Sequence, residues 1–234
     1  NDCKNLAAFI KKNIDKIDSI YVTLDTHPFY HIAHPIFWVD KNGNQPPYFT
    51  QISYADFTSG LYRPVDEKQT DRVEKYLLNL ESKGKYNLTI WPPHCLLATW
   101  GSCIVPEIWE AVHLWETNKP GRCVSYVTKA MNPFTEHYSA IQAEVPEPSD
   151  PSTRTNFTFI DKLKQKNIII AGEALSHCVA NTVRDLCVYI PASKITILSD
   201  CTSNVAGFEQ VGSSFVENCK EKGMSYIPST EVNL

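Results

Sequence analysis

The sequence predicts an α/β fold: a doubly wound, mostly parallel sheet with helices on both faces, built as a single domain over residues 1–234. Three observations carry this prediction. Short β-branched runs alternate with amphipathic stretches of helical period, the pattern that parallel strands joined by helical crossovers produce. The chain has 234 residues, 43% of them hydrophobic, enough to bury one large core. Neither segment that breaks the alternation has the character of a domain linker, because the alternation resumes on both sides, and no internal repeat occurs.

The elements follow in order. Residues 5–13 form the first amphipathic stretch, and residues 20–24 (IYVTL) the first strand. Residues 70–82 place Val73, Tyr76, Leu77 and Leu80 on one helical face, a spacing of three and four. The helix at 106–116 opens on Pro106, a residue suited to the first helical position because its missing N–H has no partner there anyway. Strands follow at 124–128 (VSYVT), 168–171, 195–199 (ITILS) and 224–227, with helices at 179–189 and 206–219. Residues 40–66 are rich in Pro, Gly, Asn and aromatics, and residues 144–155 (EVPEPSDPSTRT) are proline-rich; both are expected as surface loops. The alternation opens on a helix, whereas the first strand of doubly wound folds usually lies near the sheet centre. This predicts a further strand upstream of Asn1.

The charge content is 21% with a formal net charge of −4. No segment carries the basic surplus of a nucleic-acid surface, so no nucleic-acid partner is expected. No apolar run is long enough for a membrane span, and the opening residues, amphipathic and lysine-bearing, do not read as a signal peptide. The eight cysteines are scattered, with no CxxC pair. This favours reduced thiols and a cytoplasmic location.

Reactive side chains gather where the predicted strands end, the edge at which open α/β sheets bind ligands. Asp25 and His27 follow the first strand, with His31 and His34 close behind. A carboxylate and imidazoles suit zinc, iron or manganese, and residues two apart in extended chain point the same way. A polar loop with histidines on backbone carbonyls is the competing reading. His94 follows two prolines and is either a third ligand or a core histidine. Lys129 ends a strand, either at the surface or beside a nucleophile. Cys178 sits in the first turn of a helix after strand 168–171. Free N–H groups there lower a thiol pKa, although a buried structural cysteine would occupy the same place.

Taken together, four ordered blocks resemble the nicotinamidase and isochorismatase-like cysteine hydrolases, most of all the nicotinamidase branch. They are TLDTHPFYH, WPPHCLLATWGS, VTKAMNPFTEHYSA and AGEALSHCVANT, spanning residues 24–182. The resemblance implies Cys178 as nucleophile and Lys129 as its triad partner. It implies Asp25, His27 and His94 as ligands of zinc or a similar divalent metal, and the backbone N–H groups of Ala174 and Cys178 as the oxyanion hole. A cis peptide at Glu173–Ala174 is also implied. The implied reaction releases ammonia from nicotinamide or a similar small carboxamide through a Cys thioester. Phe37, Trp38 and Tyr138 are the expected aromatic flanks of the substrate, or else core residues. A homo-oligomer is compatible with the resemblance.

The sequence departs from the family at three points. The third triad member, an aspartate, is expected upstream of Asn1 together with the additional strand. Leu175 and Ser176 stand where the family has Thr-Asp, and Glu173 stands where it has an apolar residue. The first departure leaves a non-catalytic metal- or ligand-binding module as an alternative. The others bear on which amide is cleaved, with a ureido or carbamoyl compound as the other enzymatic reading.

Overall fold

Two parallel strand groups carry the reactive residues on their carboxyl ends in a computed structural model that describes residues 1–82 and 86–234. Helix α1 (Asp2–Lys12) precedes strand β1 (Tyr21–Asp25). Then come β2 (Trp38–Asp40), β3 (Gln51–Ile52), α2 (Tyr54–Thr58), β4 (Tyr62–Pro64), α3 (Thr70–Ser82) and β5 (Leu88–Thr89). Helix α4 (Pro106–Asn118) leads to β6 (Ser125–Lys129), α5 (Phe157–Leu163) and β7 (Ile168–Ile170). The chain ends with α6 (Ala180–Leu186), β8 (Ile195–Leu198), α7 (Glu209–Glu221) and β9 (Ser225–Ile227).

Strand β1 pairs in parallel with β6, and β7–β8–β9 form a second parallel group. The five β-branched runs read from the sequence therefore all become parallel strands, and helices flank them, as a doubly wound α/β fold requires. The two groups are bridged by α1. Its Ala7 and Ile10 pack with Ala111, Val112 and Trp115 of α4 beside β1, while its Phe9 packs with Leu198 and Cys201 beside β8. The indole of Trp115 donates to the Ile17 carbonyl at 2.9 Å, which fixes the connection into β1. On the other side, Val183 and Leu186 of α6 join Phe215 and Cys219 of α7 over Ile168, Ile195 and Ile197.

Helix α3 has the bounds that its periodicity predicts, and Val73, Tyr76, Leu77 and Leu80 are its buried residues. They pack against Ile32, Phe37, Trp38 and Ile52 in a further cluster. Residues 40–66, expected as a loop, contain short structure instead. Strands β2 and β4 pair antiparallel, as do β3 and β5, and α2 opens with a reciprocal capping box between Ser53 and Asp56. Two-residue strands and a five-residue helix are shorter than any period can reveal. The seven residues of helix α5 are likewise too few to show a period; Asn156 caps it by accepting from the Phe159 N–H. The 144–155 segment is a loop as expected, tied to the end of β6 by Asn132, whose amide donates to Asp150 at 2.8 Å. Among the described residues no helix is long and apolar enough to cross a membrane.

Candidate active site

The parallel register sets the site. Asp25, the last residue of β1, lies opposite Lys129, the last residue of β6, so the two side chains meet at the carboxyl edge of the pair. Lys129 is 5% exposed; its ammonium donates to Asp25 Oδ1 at 2.8 Å, to the His137 carbonyl at 2.9 Å and to Cys178 Sγ at 3.6 Å. Burial opposes the charge on Lys129, but the neighbouring Cys178 and Asp25 outweigh it and hold the ammonium above the usual lysine range. Asp25 behaves reciprocally. Burial disfavours its carboxylate, while Lys129 and His94 pull it below the usual range.

Cys178 arrives from the second strand group. After β7 the chain passes Gly172, whose φ of +114° suits glycine, and the Glu173–Ala174 bond is cis as the resemblance implied. A π-helical turn, Leu175–Val179, then leads into α6. The thiol's environment differs from the sequence expectation. The turn does place Cys178 at a helix start, yet burial is the largest influence and pushes its pKa up, with Lys129 the main opposing charge. Activation of this thiol therefore depends on the lysine. Ser176, which replaces the family's aspartate, bonds locally: its hydroxyl accepts from the Val205 N–H at 3.1 Å and lies 2.9 Å from His177 Nδ1.

The histidines converge on the far side of Asp25. A bridge between the segments sets His94 beside His27: the His27 N–H donates to the Cys95 carbonyl at 2.9 Å and Leu97 N–H to the His27 carbonyl at 2.8 Å. Asp25 Oδ2 lies 3.6 Å from His27 Nδ1 and 3.5 Å from His94 Nε2. Donors about 2.0–2.2 Å from one tetrahedral ion stand roughly 3.3–3.6 Å apart, so these separations fit a metal. Protonation fits as well. His94 Nδ1 lies 2.9 Å from the Pro92 carbonyl and His34 Nδ1 lies 3.0 Å from the Phe29 carbonyl. A carbonyl only accepts, so each Nδ1 carries the proton and each Nε2 offers a lone pair. His34 Nε2 and His27 Nδ1 are buried with no hydrogen-bond partner. Donor atoms of His27, His34 and His94 lie within 4.8 Å of one another. The three donors implied by the resemblance thus come together, and His34, noticed in the sequence only as a neighbour, stands beside them.

The expected aromatic flanks separate. Phe37 and Trp38 have no exposed surface, and the Trp38 indole donates to the Ile32 carbonyl at 2.6 Å. They are core residues, because the turn at residues 35–37 folds them inward against α3. Tyr138 instead joins Trp91, His177 and Phe208 in a ring cluster that packs beside Cys178. Trp91 follows β5 and Phe208 precedes α7, far apart in sequence, so no local pattern announced them. The Trp91 indole donates to the Tyr138 hydroxyl at 2.8 Å. Tyr138→Phe leaves that buried N–H without its acceptor and is expected to cost about 1–3 kcal/mol. Urea unfolding checks this, and a change below about 0.5 kcal/mol would contradict the assigned bond.

Glu136 was not anticipated. It is 3% exposed, and its Oε1 lies 3.4 Å from His27 Nε2. Burial opposes its charge, yet His27 outweighs burial and brings its pKa down to about 2. Only its position within the Lys129 block, seven residues on, could have marked it.

No family model matches the chain. A nicotinamidase of Saccharomyces cerevisiae is 24% identical over 212 residues, which cover 89% of this chain and 78% of that protein. The solved structure of the yeast nicotinamidase superposes with a TM-score of 0.63 at 19% identity, covering 96% of this chain and 86% of the other. An Acinetobacter baumanii nicotinamidase/pyrazinamidase gives 0.62 at 18%, covering 99% and 87%. A Pyrococcus horikoshii pyrazinamidase in complex with zinc gives 0.54 at 18%, covering 97% and 84%. The sequence blocks, the order of the strands and these superpositions agree that this chain has the isochorismatase-like fold of the nicotinamidases.

Proposed function

We propose that the chain is a metal-assisted cysteine amidohydrolase that releases ammonia from nicotinamide or a closely similar aromatic carboxamide. The observation that carries this reading is the placement of Lys129 between Cys178 Sγ and Asp25, with the histidine donors on the carboxylate's other oxygen. The similarity to nicotinamidases supports the substrate class.

In this reading the Cys178 thiolate, held by the Lys129 ammonium, attacks the carboxamide carbon, and the carbonyl electrons move to oxygen. The proton that leaves the thiol is delivered to the departing nitrogen, so that it leaves as ammonia. The backbone N–H groups of Ala174 and Cys178 receive the oxyanion. Collapse re-forms the carbonyl, breaks the C–N bond and releases ammonia, leaving a thioester that water hydrolyses. Asp25, His27 and His94 hold a divalent metal, zinc by preference, with His34 as an adjacent donor. When bound, the metal supplies a Lewis-acidic anchor for the substrate's ring nitrogen. Trp91, Tyr138 and Phe208 then take the flanking role first expected of Phe37 and Trp38. A cytoplasmic location belongs to the same reading, since the eight cysteines are scattered with no CxxC pair, a pattern that favours reduced thiols.

The test is ammonia release from nicotinamide by the zinc-loaded protein. Turnover above the uncatalysed rate is expected. Absence of turnover with nicotinamide and with pyrazinamide, in a protein shown to bind zinc, would overturn the assignment in favour of a binding module or another amide.

A further inference from the structure

Both ring nitrogens of His27 face carboxylates. Nδ1 lies 3.6 Å from Asp25 Oδ2, and Nε2 lies 3.4 Å from Glu136 Oε1. A neutral imidazole carries one proton and one lone pair, and only the lone pair can ligate a metal. Whichever carboxylate takes the proton therefore decides which nitrogen serves the metal.

Glu136 is built to take it. Its Oε1 also accepts from the His137 N–H at 3.1 Å, and its own N–H donates to the Tyr76 hydroxyl at 3.3 Å. The carboxylate is thus held by the His137 N–H as well as by His27, and the Glu136 backbone is anchored by Tyr76. His31 lies on the same side, its ring edge-on to His27 with centroids 4.6 Å apart. His31, His27 and Glu136 bring donor atoms within 4.8 Å of one another, which raises a second metal cage as the competing reading. The hydrogen bonding argues against that cage. His31 Nδ1 accepts the Ala33 N–H at 3.2 Å, so neutral His31 carries its proton on Nε2 and has no lone pair there to offer. Glu136 Oε1 faces His27 Nε2 and the His137 backbone N–H, while Glu136 Oε2 and His31 Nε2 are each buried without a hydrogen-bond partner.

We infer that Glu136 is a positioning residue for the metal centre: it accepts the Nε2 proton of His27 and so presents Nδ1, as a lone pair, toward Asp25 and His94. Ligating histidines commonly donate their second nitrogen to a carboxylate in this way, which fixes the tautomer and raises basicity. The inference rests on the metal reading above and adds to it a residue that touches neither substrate nor metal.

Two measurements test it. In the metal-free wild-type protein, two-bond ¹H–¹⁵N correlation spectra of the His27 imidazole should show the Nε2–H tautomer. Zinc titration against a competing chelator should show one ion per chain, bound about 10- to 100-fold more weakly in Glu136→Gln, with the variant's metal-free circular dichroism unchanged. The wild-type spectrum keeps the test decisive should the variant fail to fold. A His27 Nδ1–H tautomer would overturn the inference, as would Glu136→Gln affinity within twofold of wild type. Two ions per chain with one lost in Glu136→Gln would overturn it too, by making Glu136 a ligand. Wild-type protein that binds no zinc would instead remove the metal reading itself.

Discussion

Cys178→Ala is expected to abolish ammonia release, lowering turnover on the order of 10⁴-fold or more, while leaving zinc affinity and substrate binding near wild-type. Removing the sulfur takes away the atom proposed to form the acyl intermediate, so electrostatic assistance from Lys129 and the backbone N–H groups loses the nucleophile it acts on. Zinc binding should persist because the metal donors lie on Asp25 and the histidines, across the carboxylate from the thiol. The measurement pairs steady-state ammonia release with mass spectrometry of acid-quenched protein. A substrate-derived adduct should appear on the wild-type peptide containing Cys178 and vanish in the variant. Residual turnover within tenfold of wild type would exclude a Cys178 thioester.

Asp25→Ala is expected to have the second largest effect, because this carboxylate belongs to two halves of the site at once. Its Oδ1 pairs with Lys129 and its Oδ2 faces His27 and His94. Its removal strands a buried ammonium, and breaking one side of a buried pair costs about 3–5 kcal/mol. Zinc affinity should fall in the same variant, so urea unfolding and metal titration should both report the loss. The pH dependence has a defined sign. The folded-state pKa of Asp25 lies below its ordinary 3.8, so its stabilisation is fully present above that value. It is lost as pH falls through it toward the lower folded pKa. The variant should therefore show a flatter acid limb than wild type. A wild-type acid limb no steeper than that of Asp25→Ala would argue that Lys129 gains nothing from this carboxylate.

Much of the site was legible in the chain because its chemistry is local. Asp25 and His27 are two residues apart at a strand end, Cys178 sits in the turn that follows a strand, and the four blocks keep their order. The long helices were equally legible: α3 buries its four apolar positions at a spacing of three and four. The antiparallel pairs within residues 40–66 and helix α5 were not, since each is too short to show a period.

What the sequence by itself determined is the alternation that makes an α/β fold, which follows from residue type and near-neighbour spacing; the candidate nucleophile, lysine and metal donors came from the resemblance of four ordered blocks. Only the tertiary structure decided which residues meet across long separations. Phe37 and Trp38 went to the core, because a single inward turn of the backbone outweighs any preference of an aromatic side chain for ligand over protein. Trp91, His177 and Phe208 came together around Tyr138, and Glu136 came to face His27, only because distant segments pack against one another. The thiol's pKa was likewise set by tertiary packing. Being at a helix start is local and readable, but desolvation and the nearby ammonium act through space, and their balance does not exist until the chain has folded.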